Sequence, residues 1–246
     1  MIGAMKPCLI YQPLGLGDIL WVQGIVDHFI EQGYDVVYPV GDVYYDMVSK
    51  YINKQGLTWY NESNDYPMKQ ITGVTSPLKN DDKMYMPLQY ADRHVSGPLL
   101  LAKYIFADVA LPDDYRDHFD IKRDYDREQR LIDTYKLYGD YIIVNENFAT
   151  PPTYLVRSIE LDTDCYVHYM NIEQNNSNGF NIFDWIGALQ SAQSIHTVET
   201  SFCYIIDKYC KQEDIHIYER RIEGWPRTHH MEVKGVYKSK NWIYED

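Results

Sequence analysis

Pro13-Leu14-Gly15-Leu16-Gly17-Asp18-Ile19-Leu20-Trp21 stands between a short apolar run, Cys8-Leu9-Ile10-Tyr11, and an amphipathic segment from Ile19 to Gln32. The run reads as a buried strand and the segment as a helix, so this stretch is a strand-to-helix turn, where open α/β sheets place their chemistry. Two glycines let the backbone turn tightly and approach a ligand without a Cβ in the way. The first helical N–H groups offer partial positive charge to an anion. Asp18 is expected at the helix N-cap, a position that favours a carboxylate even without a function.

Working outward, Val22, Ile25, Val26, Phe29 and Ile30 recur at helical spacing, and Gly33 supplies a stop. Tyr34 to Val40 reads as a strand, Val43 to Ile52 as a second helix and Leu57 to Tyr60 as a further strand. Short connections of this kind make right-handed β-α-β units with parallel pairing. Between Asn61 and Asp92 the pattern weakens into polar loops marked by Tyr66-Pro67, Ser76-Pro77 and Met86-Pro87, with extended pieces expected at Gln70 to Val74 and Lys83 to Leu88. Such a region suits a substrate wall better than a core. A helix is expected from Leu99 to Val109 after Gly97-Pro98. The mixed-charge segment Asp113 to Arg130 then reads as a solvated linker and helix face. The domain junction is placed there, giving domains 1–125 and 126–246.

The second half restarts with the buried strand Tyr141 to Val144, whose carboxyl end opens into Asn145-Glu146-Asn147-Phe148 and a Pro151-Pro152 turn. Strand-like pieces follow at Leu155 to Leu161 and Cys165 to Met170, then a helix at Ile182 to Gln193 and a strand at Ser194 to Val198. Glu199-Thr200-Ser201 caps a helix from Phe202 to Tyr209, and Ile215 to Tyr218 is the next strand. The tail from Glu219 to Asp246 shows no clear period. The fold class read from this alternation is α/β, with two Rossmann-like α/β/α domains built on parallel sheets.

Composition narrows the function. The 246 residues carry a formal net charge of −13, which argues against coating nucleic acid or anionic lipid. An anionic substrate must therefore meet a local positive site. Cys8, Cys165, Cys203 and Cys210 form no CxxC pair and no zinc-type spacing, so they read as reduced thiols. No apolar run reaches the length of a membrane span, and Pro7 and Gln12 break the one candidate signal core, so a soluble, cytoplasmic protein is expected. The 24 tyrosines are spread along the whole chain and mark no single site.

Two constellations can carry chemistry. Gly15-Leu16-Gly17-Asp18 lacks the third glycine of the dinucleotide fingerprint, and no acidic residue closes the second strand, so NAD binding is disfavoured. Ser194-Ile195-His196-Thr197-Val198-Glu199-Thr200-Ser201-Phe202 delivers hydroxyls and free backbone N–H groups to a helix start, where a diphosphate fits without a metal. Either Thr200 or Ser201 could serve as the cap, and His196 is read as a sheet histidine with a possible place in the site. His229-His230 invites a metal, but adjacent residues in an extended tail point apart and no partner is spaced to join them.

A first strand, a Gly-Leu-Gly-Asp turn and an apolar helix resemble the N-terminal signature of GT-B glycosyltransferases of the heptosyltransferase type. The helix Ile182 to Gln193, the strand Ile195 to Val198 and the turn Glu199-Thr200-Ser201 resemble the same family's donor region, and Tyr141 to Asn147 resembles the strand that opens it. The resemblance implies an inverting, metal-independent enzyme that moves a sugar from a nucleotide-sugar to a glycan or other hydroxyl acceptor. It implies an acceptor-side domain at 1–125, a nucleotide-sugar-binding domain at 126–246 and a cleft between them. Asp18 takes the place of the family's proposed base, with Gly15 and Gly17 letting the donor come close. The diphosphate would sit on Thr200, Ser201 and Phe202 beside Glu199, with Asn147 and Arg157 as candidates for phosphate or ribose contact. No cofactor or metal is expected. The turn departs from the family in having Glu199 for the commoner Asp, no glycine after Thr200 and no obvious basic residue opening the donor domain. A catalytically degenerate nucleotide- or glycan-binding protein, or a nucleotide-sugar epimerase of the same architecture, is the alternative.

Overall fold

The computed structural model describes residues 6–80, 82–96, 98–148, 154–155, 158–218, 237 and 242–245. The chain divides into two units, Met1–Lys122 and Arg123–Asp246. Arg157, His229 and His230 lie outside the described residues.

In the first unit the chain runs β1 (Lys6–Ile10), α1 (Leu16–Trp21), α2 (Gln23–Glu31), β2 (Tyr34–Val40), α3 (Asp42–Tyr51), β3 (Leu57–Asn61), β4 (Leu78–Lys79), β5 (Met84–Met86) and α4 (Leu99–Ala107). The sheet order is β3-β2-β1-β5-β4. All neighbours are parallel except β4, which pairs antiparallel with β5. Side-chain alternation divides the strands. Leu9, Tyr11, Val37 and Tyr85 pack with Tyr66 on one face. Cys8, Ile10 and Tyr38 are also buried and, by alternation, belong to the opposite face.

The helix anticipated from Ile19 starts three residues earlier and is interrupted at Val22, whose φ of −81° and ψ of 7° leave the helical well. The Gln23 side-chain amide donates to the Ile19 carbonyl across this break at 2.9 Å. The N-cap is Gly15, not Asp18, which sits inside the first helical turn. The extended piece expected at Gln70 to Val74 is instead a 3₁₀ turn at Lys69–Ile71. Polar, proline-bounded sequence carries too little periodicity to tell the two apart.

The second unit contains α5 (Tyr125–Tyr135), β6 (Tyr141–Asn145), β7 (Asn147–Phe148), β8 (Tyr154–Leu155), β9 (Tyr166–Tyr169), α6 (Ile172–Ser177), α7 (Ile186–Ser191), β10 (Ser194–Val198), α8 (Phe202–Tyr209), β11 (Ile215–Tyr218) and β12 (Ile243–Glu245). The fully parallel sheet runs β12-β11-β10-β6-β9, and β7 and β8 form a separate antiparallel pair. Every residue of β6 and β10 is buried, as expected of parallel strands covered on both faces. The polar residues within them are satisfied. Asn145 donates to Thr197 Oγ1 at 3.0 Å, and Thr197 donates to the Val198 carbonyl at 2.8 Å. Arg127 grips the wholly buried Asp184 through two nitrogens at 2.9 and 2.7 Å. That grip ties α5 to the 3₁₀ turn Ile182–Trp185 that leads into α7.

Candidate active site

In the first unit β1 lies between β2 and β5, and the chain proceeds from β1 to β2 and β3 on one side before returning to β5 on the other. The carboxyl ends of β1 and β5 are therefore a topological switch point, where open parallel sheets bind ligands. The loop leaving β1 is tied down there. Tyr11 N–H donates to the Met86 carbonyl at 2.9 Å, Gln89 N–H to the Tyr11 carbonyl at 3.1 Å and Gly41 N–H to the Pro13 carbonyl at 2.8 Å. Gly15 follows at φ +80°, and a Cβ there would stand 2.6 Å from Asp18 Oδ2. Only glycine meets both demands. Gly17 lies half-buried within α1.

Asp18 is held by a residue that the sequence pattern did not single out. Lys103, on α4, is 2% exposed and donates to Asp18 Oδ1 at 2.6 Å and to Gln12 Oε1 at 2.7 Å. Burial pushes the Lys103 ammonium below its ordinary value, opposed by the charges of Asp18 and Asp92. Gln12 in turn donates to the Leu14 carbonyl at 2.7 Å. The Tyr38 hydroxyl has no hydrogen-bond partner among the described residues. Its pKa is raised well above the ordinary value, first by burial and then by the charge of Asp18. One signal for Lys103 was present in the sequence: it is the lone charge in Leu99-Leu100-Leu101-Ala102-Lys103-Tyr104-Ile105-Phe106-Ala107. A solitary cation on an apolar helix needs a buried partner.

In the second unit the switch point falls at the carboxyl ends of β6 and β10. Asn147 follows β6 and donates to the Met170 carbonyl at 3.3 Å. Glu199, Thr200, Ser201 and Phe202 follow β10. Thr200 Oγ1 accepts the Phe202 N–H at 3.2 Å, while the carbonyls of Thr200 and Ser201 accept the N–H groups of Cys203 and Tyr204 at 3.0 and 3.3 Å. The expectation of free N–H groups at the start of α8 is thus corrected: these three are engaged within the turn. What an anion would meet there is the helix dipole and the two hydroxyls. The Glu199 N–H donates to the Tyr218 carbonyl at 3.1 Å, and its side chain is buried. His196 lies inside β10 with Nδ1 3.0 Å from the Tyr218 hydroxyl and Nε2 3.0 Å from Ser194 Oγ. Its ring stacks on His216 at 4.3 Å.

The structure thus gathers Gly15, Gly17 and Asp18 in one turn of the first unit. It places Asn147 and Glu199 to Phe202 after the carboxyl ends of the two adjacent central strands β6 and β10 of the second. Among the described residues, no three His, Cys, Asp or Glu side chains converge so as to hold a metal ion.

Two Rossmann-like units in one chain, each opening its loops at a switch point of its sheet, make this an α/β protein with a GT-B fold. A family 9 glycosyl transferase from Veillonella parvula DSM 2008 has a similar fold, with a TM-score of 0.50, 9% identity and coverage of 87% of this chain and 80% of that one. E. coli heptosyltransferase WaaC with ADP-2-deoxy-2-fluoro heptose overlaps 98% of this chain and 93% of its own at 11% identity and a TM-score of 0.45. Fucosyltransferase NodZ from Bradyrhizobium overlaps 84% and 94% at 8% identity and a TM-score of 0.37. At 9% identity the likeness to the family 9 protein is one of fold. No protein-family model and no curated protein sequence matches the chain.

Proposed function

We propose that this chain is a glycosyltransferase that moves a sugar from a nucleotide-sugar to a hydroxyl of a glycan or other acceptor, with inversion and without a metal. The observation that carries this reading is Asp18: a half-buried carboxylate on the first turn after β1, at the switch point, with one oxygen fixed by a buried lysine. The fold shared with a family 9 glycosyl transferase supports the class. The first unit takes the acceptor side and the second binds the donor.

In the step proposed, Asp18 Oδ2 takes the acceptor hydroxyl proton as that oxygen attacks the anomeric carbon from the face opposite the diphosphate. The bond from the anomeric carbon to the diphosphate oxygen breaks with its electron pair, and the configuration inverts. Positioning supplies much of the acceleration, because the acceptor oxygen must lie within hydrogen-bond reach of a fixed base. The diphosphate leaves onto the α8 start, where the Thr200 and Ser201 hydroxyls and the helix dipole meet its charge. Asn147 and Arg157 contact the phosphates or the ribose, and Gly15 and Gly17 leave room for the sugar. Phe202 is buried and its N–H is taken by Thr200 Oγ1, so it shapes the turn rather than touching the donor.

A thermal-shift series with nucleoside diphosphates and nucleotide-sugars tests donor binding, since a ligand held at about 100 times its Kd adds roughly 2.7 kcal/mol. Asp18→Asn is expected to lower transfer by about 10²–10⁴-fold while leaving donor affinity unchanged. Silence towards every nucleotide and nucleotide-sugar would sink the proposal. Binding without transfer would make the chain a nucleotide-binding protein instead.

A further inference from the structure

Lys103 poses a physical question that its packing answers. An ammonium removed from water costs several kcal/mol unless charge and hydrogen bonds repay it, and Lys103 is 2% exposed. Its partners are the Gln12 amide oxygen and Asp18 Oδ1. The pair is asymmetric: the lysine end is sealed, while the Asp18 side chain is 26% exposed. A cation used only to fill a helix interface needs no half-open partner.

The elements around the pair are locked from both sides. Trp21 Nε1 donates to the Leu100 carbonyl and the Tyr104 hydroxyl donates to the Trp21 carbonyl, both at 2.8 Å, so α4 is fastened to the end of α1. Gly24 permits this approach, for a Cβ there would stand 2.6 Å from the Tyr104 hydroxyl. On the other side, Gln12 spends its NH₂ on the Leu14 carbonyl, which leaves its oxygen as the group that accepts from Lys103. A continuous chain of hydrogen bonds therefore runs from the backbone before Gly15, through Gln12 and Lys103, to one oxygen of Asp18. The charged and titratable groups around the pair are the buried Tyr38 from β2, which feels the charge of Asp18, and Asp92 from the turn after β5, whose charge acts on Lys103.

We propose that Lys103 is a positioning residue for the transfer reaction: it occupies Asp18 Oδ1 and so presents Oδ2 to the acceptor hydroxyl. This rests on the glycosyltransferase reading above. The lysine touches neither substrate. It acts by removing the rotamers in which the carboxylate would face away, and a misplacement of about 1 Å at a reacting group can cost about 10²-fold. Gln12 is the second link, since it orients the ammonium.

Lys103→Met keeps the volume and removes the charge. With it, kcat is expected to fall by about 10–100-fold while the donor KM stays within about twofold. In a double-mutant cycle, adding Lys103→Met to Asp18→Asn is expected to bring no further loss, because the group that Lys103 holds no longer acts as a base. Thermal melting of each variant checks that it is folded. If Lys103→Met is not recovered folded, Gln12→Leu interrupts the same chain while leaving the ion pair, and it too must lower kcat without raising the donor KM. A folded Lys103→Met with wild-type kcat overturns the proposal, as does an equal loss in the wild-type and Asp18→Asn backgrounds. A wild-type protein that transfers no sugar refutes the glycosyltransferase reading itself, before any variant is compared.

Discussion

Gly15 is where backbone and side-chain demands meet. Its φ of +80° belongs to glycine, and its missing Cβ gives Asp18 Oδ2 the space it occupies. Gly15→Ala is therefore expected to destabilise the first unit by about 1–2 kcal/mol, the usual cost of forcing an L residue into positive φ. Urea unfolding measures that loss. The same substitution pushes on Asp18, so under the proposed reaction transfer should fall by more than the loss of folded protein accounts for. Alanine at this position with unchanged stability would mean that the turn adopts another conformation. At this scale the sequence located the turn, through two glycines and an acid. It misplaced Asp18 at the cap because the cap belongs to the backbone of Gly15, one turn earlier.

At the scale of elements, His168 gives the second unit a pH dependence. It lies on β9 against Tyr135 and Trp185, at ring distances of 4.8 and 5.4 Å. Burial lowers its pKa from 6.5. The folded state then binds fewer protons than the unfolded state below that value, so the stability this site retains at neutral pH is lost as pH falls through 6.5 towards the folded pKa. Urea unfolding of wild type and His168→Phe is expected to show a gap that shifts against the wild type as pH is lowered from 7.5 to 5. A pH-independent gap would show that the imidazole is not desolvated. Elements with strong periods or clear punctuation were legible beforehand: β2 at Tyr34–Val40, β10 at Ser194–Val198, α8 at Phe202–Tyr209 and β11 at Ile215–Tyr218. By contrast α6 at Ile172–Ser177, built from Ile-Glu-Gln-Asn-Asn-Ser, and the three-residue β12 at Ile243–Glu245 were not. A short polar helix and a short edge strand are made by tertiary contacts, which local pattern does not record.

Over the whole molecule, each unit has its own sheet, wholly parallel in the second and parallel but for β4 in the first, with cysteines placed by its core. Cys8 lies in the first unit, and Cys203 and Cys210 in the second; all three are buried. Burial raises the Cys8 thiol far out of the reactive range and pushes Cys210 up to about 12. Cys165 is half-exposed, its thiol donating to Gln193 Oε1 at 3.1 Å. Native protein treated with a thiol reagent at neutral pH is therefore expected to label at Cys165 alone, with all four reacting once denaturant is added. Fast reaction of Cys8 would mean that the first sheet is not closed over β1. No helix among the described residues is long and apolar enough to cross a membrane.

The sequence by itself determined the α/β class, because strand and helix periods alternate in both halves and connections are short. It also located the strand-to-helix turns after β1 and β10, because glycine, threonine and serine have local reasons to stand there. Only the tertiary structure decided that a lysine 85 residues from Asp18 is the group that orients it, and that the α8 N–H groups are already engaged. Both facts depend on which elements pack together, and the free energy of a buried charge is set by neighbours in space rather than along the chain.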